Sequence, residues 1–293
     1  MTRYQVVHRT EYRYAAPVTS SYGQTCLLPR DLDGQRCVDA SLAIDPAPSD
    51  QRERRDFFGN RVSFFTVTTP HDVLSITSTS TVDVTSDRGS LPLGADQPWE
   101  EVRDRCRTLS GPVGIDARHH LLDSTSAPTT DVARTYAEQS FTAGRPVLDA
   151  VGDLSSRIHA DFDFDPGATD VTSTIDDLFE ARGGVCQDFA HLAVSCLRSV
   201  GLPGRYVSGY LETIPPPGKE KLQGADVSHA WASVLLPDAG WIDVDPTNDQ
   251  FVDDRYVTVA WGRDYKDVTP VKGVVYTSGG RTQLKVTVDV TRV

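Results

Sequence analysis

The chain has little of what commits a protein to a membrane, to nucleic acid or to a disulfide scaffold. Its longest apolar run, around Val234-Leu235-Leu236, falls far short of the roughly 20 residues a spanning helix needs. Met1 to Gln5 lead into strand-like sequence without an apolar signal segment. Basic residues are the minority, 29 against 41 acidic, and the net charge of −12 argues against nucleic acid or an anionic membrane as the main partner. Five cysteines, Cys26, Cys37, Cys106, Cys186 and Cys196, form no CxxC pair. They are too few and too scattered for a disulfide framework or a structural zinc site. Free thiols, a cytoplasmic location and no bound cofactor or metal are expected.

What is present suits a globular fold. The 293 residues, 39% hydrophobic and 24% charged, give room for one large domain or two ordinary ones. Residues 1–95 read as β structure. Tyr4 to Tyr14 alternates with aromatic and β-branched residues, and Ser41 to Ile44, Val62 to Thr68 and Val73 to Val84 follow. Turn clusters at 29–31, 45–48 and 58–61 separate them, which suggests a small antiparallel sandwich. The pattern turns helical beyond Leu91-Pro92-Leu93-Gly94, at Trp99 to Leu109, Val132 to Phe141 and Val147 to Phe162. Ser110 to Thr130 reads as an irregular connection. The expected division is a β-domain over 1–95 and a second domain over 96–293 that includes the C-terminal strands.

The chemistry concentrates between Thr174 and Asn248. A short helix closes at Gly183-Gly184, and Phe189, Ala193, Cys196, Leu197 and Val200 then mark one apolar helix face in line with Cys186. Cys186 therefore stands in the first turn of a buried helix. The positive helix end favours thiolate there, and the first-turn amides suit an oxyanion. His191 lies five residues on, about 140° around the helix axis at 3.6 residues per turn, and cannot face the thiol. His229 opens a strand that turns at Pro237 to Gly240 and returns through Trp241 to Asp245. A four-residue turn would place Asp245 opposite Ala232, so a bulge or looser turn is needed to bring Asp245 and His229 together. Cys186, His229 and Asp245 would then supply nucleophile, base and orienting carboxylate.

The other chemistry-bearing residues read as structural. Cys196 is a buried, inert thiol. His8 and His71 are strand histidines, His159 covers a helix face, and Trp231 and Trp241 are core residues. His119-His120 and the group Asp161, Asp163, Asp165 read as solvated loops without metal-ligand spacing. Tyr206 and Tyr210 could reach a cleft or stay in the core. The loop from Thr213 to Asp226, with Pro215-Pro216-Pro217-Gly218, is expected to overhang the site.

Three stretches carry a resemblance: Gly183-Gly184-Val185-Cys186-Gln187-Asp188-Phe189-Ala190, His229-Ala230-Trp231, and Trp241-Ile242-Asp243-Val244-Asp245-Pro246-Thr247-Asn248. Their order and intervals resemble the transglutaminase-like superfamily. The resemblance extends to the N-terminal segment from Tyr4 to Arg30 and the final strands, at 274–276 and 284–290. It implies an α+β, papain-like core behind an all-β domain, with Cys186 as nucleophile, His229 as base and Asp245 as orienting carboxylate. The activity it implies is acyl transfer through a thioester on a peptide, protein or small amide. Hydrolysis, as in a cysteine peptidase or amidase, is the favoured outcome, and transglutaminase-type exchange the alternative. The resemblance leaves the oxyanion-hole side chain unassigned, and no calcium-ligand run of the EF-hand type is present. Two other classes stay open: the three residues as zinc ligands, or a non-catalytic module retaining the fold.

Overall fold

A computed structural model describes residues 1–85, 96–170, 172–213 and 228–293. Strand β1 (Thr2–Leu28) runs the length of the first sheet. Its alternation buries Tyr4, Val6, His8 and Thr10 on one face. With β2 (Gln35–Asp45), β3 (Asp50–Arg55), β4 (Arg61–Val67) and β5 (His71–Val84) it forms the order β2-β5-β1-β4-β3. The first half of β1 pairs with β5 and the second half with β4, the register breaking after Arg13. One long strand thereby serves two sets of neighbours. β3 was not anticipated, because Asp-Gln-Arg-Glu-Arg-Arg has no apolar alternation and every residue is exposed. Its charges suit an edge strand that must not recruit another chain.

The second half opens with α1 (Trp99–Thr108), α2 (Gly111–His119), α3 (Asp131–Glu138) and α4 (Val147–Asp161). Helix α2 replaces part of the expected irregular connection. Its Gly111-Pro112 start reads as a breaker, yet Gly111 takes φ +64° and the proline occupies the first turn, where no amide hydrogen is missed. His120, just after it, is buried between Phe58 and Trp241 and bonded to Asp116, so the solvated loop expected there is corrected. Next come β6 (Asp163–Phe164), α5 (Ile175–Ala181), β7 (Gly183–Gly184) and α6 (Cys186–Ser199). Helix α6 is buried on nearly every side and packs against α3, α4, β8 (Gly204–Leu211) and β9 (Ser228–Leu236). Strands β10 (Gly240–Asp245), β11 (Gln250–Phe251) and β12 (Tyr256–Gly262) complete a second sheet in the order β11-β10-β9-β8-β12.

Helix α7 (Tyr265–Val268) leads to β13 (Val271–Thr277) and β14 (Thr282–Arg292). These C-terminal strands pair with β1. The chain therefore finishes in the sheet where it began and does not end with the segment that carries Cys186. The fold is a mixed α and β structure, an N-terminal β-domain beside a papain-like core. Among the described residues no helix is long and apolar enough to cross a membrane.

Candidate active site

Cys186 is the first residue of α6, and the residues before it shape its approach. Gly183-Gly184 lies parallel to Asp163-Phe164 in a two-residue ladder. A Cβ on Gly184 would stand 2.8 Å from Asp188 Oδ2 and 2.9 Å from Leu178 Cδ1, so a larger residue would force that loop outward. Asp188 Oδ2 accepts from Val185 N at 2.8 Å and from Thr169 Oγ1 at 2.6 Å, which pins the turn entering the helix. Asp188 N and Phe189 N bond Val185 O at 2.9 and 3.1 Å, so the amides of Cys186 and Gln187 are those with no carbonyl one turn back. The Cys186 thiol itself is half-buried.

His229 sits at the start of β9, opposite Gly209 of β8. Its ring is buried near Trp231 and Tyr256, with centroids 6.2 and 6.1 Å away. The Nε2–H donates to Asp245 Oδ2 at 2.7 Å. Nδ1 is thereby left clear of Asp245, on a ring that the Cys186 thiol adjoins.

The hairpin that makes this contact is tighter than the sequence suggested. Leu236 pairs with Gly240 and Ala232 with Val244, so Asp245 comes into line with Trp231. Gly240 adopts φ +78° and closes a three-residue loop, with Ala239 N bonded to Leu236 O at 3.2 Å. A register change of one residue moves a side chain to the opposite face. The expected partner, Ala232, faces away from His229, whereas Trp231 shares its face. The observed register thus joins Asp245 to His229 without a bulge.

Asp245 is fully buried, and its carboxylate is saturated with donors. Besides His229, Oδ2 accepts from Tyr256 Oη at 2.6 Å and Asn248 Nδ2 at 2.7 Å. Oδ1 accepts from Thr247 N at 2.9 Å and Asn248 N at 3.3 Å. Burial works against the carboxylate charge. The bonds from His229, Asn248 and Tyr256 outweigh it, and Asp245 is held below the usual carboxylate range. Burial likewise works against a charged imidazole, yet bonding to Asp245 and Cys186 raises His229 well above the ordinary histidine value. The arrangement favours an imidazolium held against the Asp245 carboxylate.

Sequence reasoning missed Asn248, Tyr256 and Gln250. Asn248 left a signal, standing three residues past Asp245 in a turn where its own amide bonds that carboxylate. Tyr256 left none, because only the sheet brings β12 to Asp245.

The structural readings of other residues are accounted for by their contacts. His191 is buried, accepts from Tyr265 N at 3.1 Å and packs on Tyr206 with centroids 4.8 Å apart. Burial lowers it to about 4, which suits a neutral acceptor. Tyr206 is buried against the His191 ring, whereas Tyr210 hydrogen-bonds His8 at 3.0 Å, toward the first sheet. Cys196 is completely buried, and burial pushes its thiol far above the ordinary value. Asp161 accepts from Tyr136 Oη at 2.8 Å, and Asp165 caps Gly167 N. Among the described residues no three His, Cys, Asp or Glu side chains group so as to hold a metal ion. The loop expected to overhang the site lies, beyond Thr213, outside the described residues.

The comparisons agree with this fold. Residues 4–83 match the family model of the bacterial transglutaminase-like N-terminal region, and residues 134–246 that of the transglutaminase-like superfamily. An uncharacterized protein of Mycobacterium tuberculosis is 48% identical over 98% of this chain and 92% of its own. The protein-glutamine gamma-glutamyltransferase of Pseudomonas aeruginosa is 37% identical over 83 residues, 28% of this chain and 12% of that protein. The crystal structure of a candidate cysteine protease from Cytophaga hutchinsonii shares the fold at a TM-score of 0.75 and 20% identity, covering 99% of this chain and 90% of that one. With one relative similar along nearly its whole length and both parts of the chain matched by family models, the protein belongs to the transglutaminase-like superfamily.

Proposed function

We propose that the protein catalyses thiol-dependent acyl transfer on a peptide or small-amide substrate, with water as the usual acceptor. The observation that carries this reading is the buried His229 ring, bonded to a buried, ionised Asp245 at 2.7 Å and adjoining the Cys186 thiol. In the proposed reaction the Cys186 sulfur attacks the amide carbon, and the Cys186 and Gln187 amides at the start of α6 hold the oxyanion. The His229 imidazolium gives its proton to the departing nitrogen, the C–N bond breaks, and a thioester remains. Water then adds while His229 takes its proton, and the thiolate leaves as the carboxylic acid is released.

The zinc reading fits this geometry poorly. Ligands of one metal converge on a point, but here the His229 Nε2–H is spent on the Asp245 carboxylate, which is already saturated with donors. Amine transfer is favoured by one observation, the local similarity to the Pseudomonas aeruginosa gamma-glutamyltransferase. The acceptor is decided by incubating the protein with peptide and glutamine-amide donors, with and without a primary amine, and resolving products by mass spectrometry. The expected products are the free carboxylic acid and the released amine or ammonia, their ratio little changed by added amine. An amine-coupled product displacing the acid would contradict hydrolysis and support transamidation. No turnover of any donor would count against both.

A further inference from the structure

Asp245 takes part of its restraint from a strand gripped by the N-terminal domain. Tyr256, at the start of β12, donates its hydroxyl to Asp245 Oδ2 at 2.6 Å and accepts from Gln250 Nε2 at 2.5 Å. Burial and the Asp245 charge both push the phenol upward, so it remains a donor across the working pH range. β12 is an edge strand of the second sheet, and its pairing with β8 slips between Thr258 and Ala260. An edge with an irregular ladder is a weak platform for a residue that must hold a carboxylate.

Two side-chain amides of the first domain strengthen that edge. Gln35, the first residue of β2, accepts from Thr258 N at 2.7 Å and donates to Thr258 O at 2.8 Å. Asn60, in the turn before β4, accepts from Trp261 N at 3.0 Å and donates to Trp261 O at 2.8 Å. Each amide thus pairs with both the N–H and the C=O of one β12 residue, as a neighbouring strand would. Both are buried, and the two clamps flank the slip. Arg30 adds to the second clamp, donating to Asn60 Oδ1 at 2.6 Å while its guanidinium covers the Trp261 ring 3.1 Å from the centroid.

We propose that the N-terminal domain is a positioning element for the acyl-transfer site: Gln35 and Asn60 fix β12, and β12 places Tyr256 as the residue that holds Asp245 against His229. The proposal rests on Cys186, His229 and Asp245 being the reactive centre. The titratable groups facing His229 and Asp245 are Cys186 from α6 and Tyr256 from β12. Asp253 and Arg255 stand further out, with Arg255 bonded to Gln250 at 2.9 Å. The sign of the effect follows from sharing. His229, Asn248 and Tyr256 all donate to one oxygen, so removing the Tyr256 hydroxyl leaves more negative charge to stabilise the imidazolium. At the same time it loosens the carboxylate.

The test is the rate of Cys186 alkylation by iodoacetamide, resolved by peptide mass spectrometry between about pH 5 and 10.5 on the full chain. In Tyr256→Phe the maximal rate is expected to fall about tenfold, as for loss of one bond to a charged group. The alkaline limb should move upward by roughly 0.5–1 pH unit. Gln35→Met, which keeps the side-chain length and removes the amide, should change both in the same direction, and its effect should largely vanish in a Tyr256→Phe background. Thermal unfolding of each variant separates a lost fold from a lost restraint. Should Gln35→Met fail to fold, Asn60→Asp replaces it: the Trp261 carbonyl then loses its donor, and the same shift is expected. A profile that superimposes on wild type, or one that falls equally at every pH with its limb in place, overturns the proposal. So does a Gln35→Met effect that persists undiminished without the tyrosine hydroxyl. If wild-type Cys186 alkylates no faster than half-buried Cys37 near pH 6, the acyl-transfer reading itself fails, a result distinct from those.

Discussion

Cys186→Ala is expected to lower turnover of any acyl donor by at least about 10³-fold, with His229→Ala costing nearly as much. The double variant should be scarcely worse than either single one. The reason is geometric: the thiol adjoins the imidazole, and the imidazole bonds a carboxylate with no exposed surface. In the proposed reaction nothing attacks without the sulfur, and without the ring the sulfur loses its proton partner and the departing amine its donor. Removing both disables one step that either loss already disables. Initial rates for the three variants on one donor check this. Losses that multiply across the double variant would mean that the residues act separately.

The second large effect concerns the backbone beneath His229. Gly209→Ala is expected to destabilise the protein by about 1–3 kcal/mol or more, and to lower its unfolding temperature by several degrees. The new Cβ would stand 2.2 Å from the Val257 carbonyl oxygen and 2.5 Å from Trp231 Cη2. Neither neighbour can yield easily. Val257 is held in the β8–β12 ladder, and the Trp231 ring is wholly buried. Gly152→Ala in α4 is the control, because its Cβ would meet only Phe251, at an ordinary 3.6 Å. That change should be neutral or stabilising by up to about 1 kcal/mol. Thermal melts of the two variants side by side test the argument, and a Gly209→Ala protein that melts with wild type would refute it.

Much of the site was readable in advance because its signals are local. The apolar spacing from Phe189 to Val200 and the glycines before Cys186 define a helix start by themselves, and α6 begins there. The hairpin was also readable, since two β-rich runs flank a turn. Its register was not, because Gly240 looks like part of the loop when it pairs with Leu236 in a left-handed conformation. That one residue decided whether Asp245 faced His229. β3 escaped because its stability comes from the ladder with β4, while its side chains carry only charge. The burial of His120 depends on Phe58 and Trp241, which are remote in sequence. Tyr256 and its clamps were invisible for the same reason: Gln35 meets Thr258 across 223 residues, and no local pattern records such a contact.

The central claim is that Cys186 carries the acyl group. It is tested most directly by mixing the protein with a small activated ester, p-nitrophenyl acetate, quenching in acid, and mapping the acetyl group by peptide mass spectrometry. The account predicts a burst of nitrophenolate near one equivalent per chain and an acetylated peptide containing Cys186. The burst should be lost in Cys186→Ala and strongly slowed in His229→Ala. Acetylation of Cys37 at an equal rate, or an unmodified Cys186 after turnover, would contradict it.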